Sequence, residues 1–159
     1  TAIAAVSAST RSATAAVGRL DVPLLLENLD YCPEGAYEHV CDPGFVSEVL
    51  EATGCGLLLD IGHLAVSASW LGCEAETMLA ALPLKRVGEV HVSSPRPIAG
   101  EGNTGRLDDV HEVMTEREVR LLHFVLERST PGAVVLEYRR DPGELDRQLR
   151  LLRQILDRG

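Results

Sequence analysis

The stretch GLLLDIGH, residues 56–63, decides the architecture. Three leucines run into Asp60, and a histidine follows three positions later. So short an apolar run, closed by a polar residue, reads as a buried strand of a parallel sheet. The same form recurs around it: VPLLLEN stops at Glu27, RVGEVHVS at His91 and PGAVVLEY at Glu137. Helical segments lie between. In DPGFVSEVLEATG (42–54), Asp42 can cap, Pro43 suits the first turn and Gly54 closes the helix. Further helices are expected over 8–18, over 74–82, from Thr115 to Ser129, and over 142–158. The last has Leu145, Leu149, Leu152 and Ile155 on one face. The Gly- and Pro-rich SSPRPIAGEGNTG (93–105) reads as a long loop.

This β-α alternation implies a parallel sheet covered by helices on both faces. An open doubly wound sheet and part of a (β/α)8 barrel both satisfy it. No G-x-G-x-x-G or P-loop follows any strand, so a nucleotide-binding sheet has no support beyond the alternation. The positions of the polar residues favour the barrel, since its strand C-termini all open on one face. The expected fold is α/β: a partial (β/α)8 TIM barrel of about four βα units with parallel strands, residues 1–159 forming a single domain.

The chain has 159 residues, 45% hydrophobic and 25% charged, as an ordinary globular domain does. Its net charge of −9 argues against nucleic acid, whose phosphates need clustered Lys and Arg. No apolar run approaches the roughly 20 residues of a membrane span. Cys32, Cys41, Cys55 and Cys73 form no C-x-x-C pair. Cys55 reads as a small core residue, and a cytoplasmic protein with reduced thiols is expected.

Glu27, Asp60, His91 and Glu137 end the four strands and would converge at a barrel mouth. His63 lies three residues after Asp60. Asp109 and His111 form a D-x-H pair in the loop segment LDDVHEV, and extended backbone puts both on one side. Three imidazoles and four carboxylates suffice for two or three divalent ions, and mixed N and O donors suit zinc, manganese or iron alike. Glu89 alternates in phase with His91 and is either in the site or structural. His39 and His123 read as structural or solvated. Asn28, Tyr138 and Arg139 neighbour ligand positions and are candidate substrate contacts; no catalytic residue is singled out.

The ordered set Glu27 (LLLEN), D-x-x-H (LLDIGH), His91 (EVHV), D-x-H (DVH) and Glu137 (VVLEY) resembles the metal-binding half of xylose-isomerase-like TIM barrels. Endonuclease IV and several sugar isomerases and epimerases belong to that superfamily. The segments VPLLLENLDY, FVSEVLEATGCGLLLDIGHLAVSA, LPLKRVGEVHVS and PGAVVLEYRRDP are more closely similar to the multinuclear non-haem iron-dependent oxidative enzymes. Those include the methanobactin-biosynthesis oxidase and relatives that modify cysteine in ribosomally made peptides. The likeness spans roughly residues 15 to 158. It implies metal ligation by Glu27, Asp60, His63, His91, Asp109, His111 and Glu137, with iron as the metal. It also implies oxidative modification of a peptide or thiol substrate, and a separate peptide-recognition partner. Two positions depart from the family pattern: His63 stands where members usually carry Asn, and the motif H-L-A-G becomes His91-Val92-Ser93-Ser94. Histidine at 63 is more like endonuclease IV and the isomerases. A zinc- or manganese-dependent sugar isomerase, epimerase or phosphodiester hydrolase is therefore the alternative, and a non-catalytic half-barrel for binding or assembly is a third.

Members of that family have eight strands, and this chain supplies the C-terminal half. A piece of a longer enzyme is expected. If the half-barrel stands alone, its two unpaired sheet edges call for a second copy, as a homodimer, or for a partner chain.

Overall fold

The computed structural model describes residues 2–17, 22–31, 39–99 and 104–157. Cys32, the end of the first expected helix at residue 18, residues 100–103 of the expected loop and Arg158 lie outside them. The elements run α1 (Ala2–Val17), β1 (Leu25–Glu27), α2 (Pro43–Thr53), β2 (Gly56–Asp60), α3 (Ile61–Leu71), α4 (Ala75–Ala80), a 3-10 turn (Leu84–Arg86), β3 (Val87–Val92), β4 (Ser94–Pro97), β5 (Leu107–Glu112), α5 (Glu116–Leu126), β6 (Ala133–Leu136) and α6 (Pro142–Leu156).

Four strands form one parallel sheet in the order β1-β2-β3-β6. Each new strand adds on the same side, without the reversal of order that a doubly wound sheet shows. The fold is therefore a partial TIM-barrel-like α/β sheet, and the strand C-termini open on one face.

Burial alternates along the strands. Leu57, Leu59, Val90 and Val92 are wholly buried and join one core with Leu50 of α2, Leu64 of α3, Leu79 of α4, Leu121 of α5 and Leu152 of α6. Each such leucine contributes about 2 kcal/mol by leaving water. The alternate residues Leu25, Leu58 and Glu89 are half-buried, and Val135 is exposed. The expectation of cover on both faces is thus corrected: the helices pack against one face, and the other is partly open. On that open face Leu25 lies so close to Gly56 and Gly88 that a Cβ there would meet its Cδ2 at 2.5 and 2.8 Å.

Three local expectations are also corrected. First, α3 follows β2 directly, although the sequence carries no helical pattern there. Its sequence lacks an amphipathic period because Ile61, Leu64, Ala65, Val66 and Ala68 are all buried. Second, the loop after β3 contains an antiparallel hairpin of β4 and β5, so Asp109 and His111 sit on a strand. Its two prolines, Pro95 and Pro97, are tolerated because an edge strand need not donate every N–H. Third, Leu149 of α6 is exposed and Gln148 occupies the core, where its Oε1 accepts from Met114 N at 3.0 Å. The caps expected of Asp42 and Gly54 are present, and α5 opens on a capping box of Thr115 and Glu118.

Candidate metal centre

Asp60 stands where β2 becomes α3, and its two carboxylate oxygens have different tasks. Oδ1 caps the helix, accepting from His63 N at 2.7 Å. Oδ2 is buried without a hydrogen-bond partner. Asn28 holds the backbone on both sides: its Nδ2 donates to Asp60 O and its Oδ1 accepts from Asp60 N, both at 2.9 Å. The side-chain amide of this substrate-contact candidate is therefore engaged in bracing the strand end. Close approach also matters here. A Cβ on Gly62 would meet Ser93 Oγ at 2.7 Å, so glycine lets the start of α3 settle against the end of β3.

The cap turns His63 toward β1 and the hairpin. His63 Nδ1 lies 3.0 Å from Asn28 O, a carbonyl that only accepts, so Nδ1 carries a proton. Nε2 then faces Asp109 Oδ2 at 3.6 Å. Nδ1 also lies 3.4 Å from Glu27 Oε1 and 3.8 Å from Asp60 Oδ2. Burial disfavours a charge on this imidazole, but Asp109, Asp60 and the Asn28 carbonyl outweigh it and push the pKa up to about 9. For Asp60, burial dominates and lifts its pKa to about 6 against the pull of His63. Burial also opposes ionisation of Asp109, yet His63 and His111 hold that carboxyl below its ordinary range.

From β3, His91 Nε2 donates to Glu89 Oε1 at 3.0 Å. That leaves His91 Nδ1 turned inward, buried without a hydrogen bond though 3.2 Å from Glu137 Oε1. Glu89 thus acts as a support for His91, one of the two roles open to it from sequence.

The hairpin completes the cluster through a bulge. Ser94 pairs with Glu112 and Arg96 with Asp108, so Pro95 alone faces Asp109, Val110 and His111. His111 adopts a left-handed φ of 50°, uncommon outside Gly, Asn, Asp and His. Simple strand alternation is therefore not what brings the D-x-H pair together. The bulge sets Asp109 Oδ2 3.2 Å from His111 Nδ1, while His111 Nε2 reaches Glu137 Oε2 at 3.1 Å.

All seven expected ligands consequently meet in one cluster. Contacts run from Glu27 through His63, Asp109, His111 and Glu137 to His91, and donor atoms of Glu27, Asp60 and His91 lie within 4.8 Å of one another. The donor set fits a cation. Six buried side-chain atoms lack hydrogen bonds among the described residues, and three of them, Asp60 Oδ2, His91 Nδ1 and Asp109 Oδ1, belong to this cluster. Buried polar atoms without partners are costly, and a cation held among Glu27, Asp60 and His91 would give Asp60 and His91 the partner they lack. Beside the cluster, a cavity of about 320 Å³ is lined by His111, Val135, Glu137, Tyr138 and Arg139. His39 instead stacks on Phe45 with ring centroids 5.5 Å apart, and His123 is on the exposed side of α5.

A sequence profile described as RiPP precursor modification enzyme MbnB/TglH/ChrH matches residues 2–156. The chain belongs to this family. It is the family of metal-dependent enzymes that the ligand-bearing segments resemble. Among curated relatives, a UPF0276 protein of Caulobacter sp. (strain K31) is 36% identical over 116 residues, covering 72% of this chain and 41% of that protein. A UPF0276 protein of Bordetella pertussis is 34% identical over 119 residues, with 74% and 41% covered. One from Caulobacter vibrioides reaches 42% identity over 94 residues, 58% of this chain and 33% of that protein. The chain thus spans between a third and about two-fifths of the length of these MbnB/TglH/ChrH relatives. No helix among the described residues is long and apolar enough to cross a membrane.

Proposed function

We propose that this chain is the C-terminal, metal-binding half of a barrel enzyme of the MbnB/TglH/ChrH family, acting oxidatively on a peptide or thiol substrate in natural-product biosynthesis. The observation that carries this reading is the convergence of Glu27, Asp60, His63, His91, Asp109, His111 and Glu137 in one cluster with three unsatisfied buried donor atoms. Iron is the metal we assign, and when bound it supplies redox chemistry that side chains lack. The chain's own residues do the rest. Glu89 and the Asn28 carbonyl fix which imidazole nitrogens face the metals, and the Asp60 cap ties one ligand to a helix terminus. Substrate enters the cavity lined by Tyr138 and Arg139, where the guanidinium offers an anchor for an anionic group. The setting is cytoplasmic. Peptide recognition falls to a separate partner, and the edges of the sheet at β1 and β6 meet the remaining strands of a longer barrel or those of a second copy.

Elemental analysis after anaerobic purification tests the metal. Iron as the dominant bound metal is expected, lost on His91→Ala. Stoichiometric zinc with no uptake of iron would overturn the oxidative reading. One observation favours a second reading in that event: His63 contacts three carboxylates, at 3.4, 3.8 and 3.6 Å, as an integral member of the cluster. A zinc or manganese isomerase, epimerase or hydrolase on the same scaffold would use that imidazole as a ligand.

A further inference from the structure

The hairpin that carries Asp109 and His111 stands apart from the four-stranded sheet, in a sheet of its own. Something must seat it accurately, because a ligand set tolerates errors of well under an ångström. Helix α3 is in position to do so. Ser69 Oγ accepts from Leu107 N at 3.0 Å, and Trp70 Nε1 donates to Leu107 O at 3.1 Å. Two consecutive side chains of one helix thus hold both backbone groups of the first residue of β5. Arg106, the residue before it, lies over the Trp70 ring with its guanidinium carbon 4.3 Å from the centroid. Two turns earlier on α3, His63 meets Asp109, two residues further along β5. The hairpin is therefore fastened to α3 at both ends of the segment that leads into the site. Between Leu107 and the sheet lie the bulge and the left-handed His111, a conformation that persists only where its surroundings enforce it.

We infer that Ser69 and Trp70 are positioning residues for the metal centre: by clamping Leu107 they set the register from which Asp109 and His111 reach the cluster. The coupling is reciprocal. Metal bound at the cluster, which His63 and Asp109 join across the two elements, draws the hairpin onto α3, and a seated hairpin binds metal more tightly. This inference rests on the metal-centre reading, and the experiment separates the two.

Zn²⁺ affinity of the metal-free chain is measured by competition with a chromophoric chelator for wild type, Ser69→Ala, Ser69→Thr, Trp70→Phe and Gly72→Ala. The last is a control for general damage to α3. Gly72 closes that helix at a φ of 67°, so alanine there strains the helix end without touching Leu107. Ser69→Ala and Trp70→Phe should weaken binding about tenfold, the scale on which groups behind metal ligands act. Ser69→Thr should restore it, and Gly72→Ala should bind as wild type does. Equal affinities across Ser69→Ala, Trp70→Phe and wild type would overturn the clamp, as would equal losses in Gly72→Ala. Trp70 is the single tryptophan of the chain, so its emission reports the seating directly. Zn²⁺ should shift it in wild type and less in Ser69→Ala. If wild type takes up no metal, the metal-centre reading fails. Hydrogen exchange then decides the clamp: residues 107–112 must exchange faster in Ser69→Ala than in Gly72→Ala, and equal rates overturn it.

Discussion

His91 donates its Nε2 proton to Glu89 Oε1, 3.0 Å away and two residues back on the same strand. The two share a face of β3 because side chains alternate, so strand geometry alone pairs an imidazole with the carboxylate that orients it. That contact leaves Nδ1 as the atom presented to the cluster. Glu89→Ala should therefore lower metal affinity by roughly 10- to 100-fold through loss of that orientation. Glu89→Gln, which keeps an accepting oxygen, should lose less. Metal content after dialysis against a weak chelator measures both, and unchanged retention in Glu89→Ala would show that the contact is structural.

Metal uptake should release protons. With its pKa pushed up to about 9, His63 is charged at neutral pH in the metal-free chain, and ligation through Nε2 must displace that proton. Calorimetric titration at pH 7.4 in two buffers of different ionisation enthalpy should give different heats. Apparent affinity should rise with pH and level off above about 9. Identical heats in the two buffers would mean that His63 keeps its proton and lies outside the coordination sphere.

The sequence makes most of this cluster legible because Glu27, Asp60, His91 and Glu137 each end an apolar run and His63 lies close behind one of them, whereas Asp109 and His111 show only as a D-x-H pair. Asp60 closes three leucines, and His63 follows at the distance of one helical turn. What it hides has particular physical reasons. Helix α3 is buried nearly all round, so it carries no period to read. The β4–β5 hairpin contains Pro95 and Pro97, which mark a loop unless the strand is known to lie at an edge. The role of Trp70 leaves no trace either, because its partner is a backbone group, and backbone is the same at every position. Gln148 in the core is of the same kind, since its partner is the amide of Met114.

Acid should destabilise the fold through Glu118. Its carboxylate is wholly buried and accepts from Thr115 N at 2.9 Å and Thr115 Oγ1 at 2.6 Å. Burial alone would raise its pKa, but these bonds and Arg117 hold it below the ordinary range. A depressed folded value means that the stabilisation is present above the unfolded pKa of about 4.3 and is lost as pH falls through the folded one. Glu118→Gln should therefore cost about 1–3 kcal/mol near pH 7, the scale for a charged buried hydrogen bond. The gap between variant and wild type in urea unfolding should narrow below about pH 4. A gap independent of pH would assign the loss to packing.

His111 sets binding against stability in one residue. Its φ of 50° costs a residue with a Cβ on the order of 1 kcal/mol, and asparagine bears that conformation better than alanine does. Both substitutions remove the imidazole. His111→Asn and His111→Ala should consequently lose metal to the same extent, while the metal-free His111→Asn protein should be about 1 kcal/mol more stable than His111→Ala. The two measurements separate backbone from ligand: urea unfolding of metal-free protein reads the strain, and elemental analysis reads the coordination. Equal stabilities would mean that the bulge relaxes once the imidazole is gone. The left-handed turn at His111 would then be a consequence of reaching Asp109 and Glu137 rather than a feature of the hairpin itself.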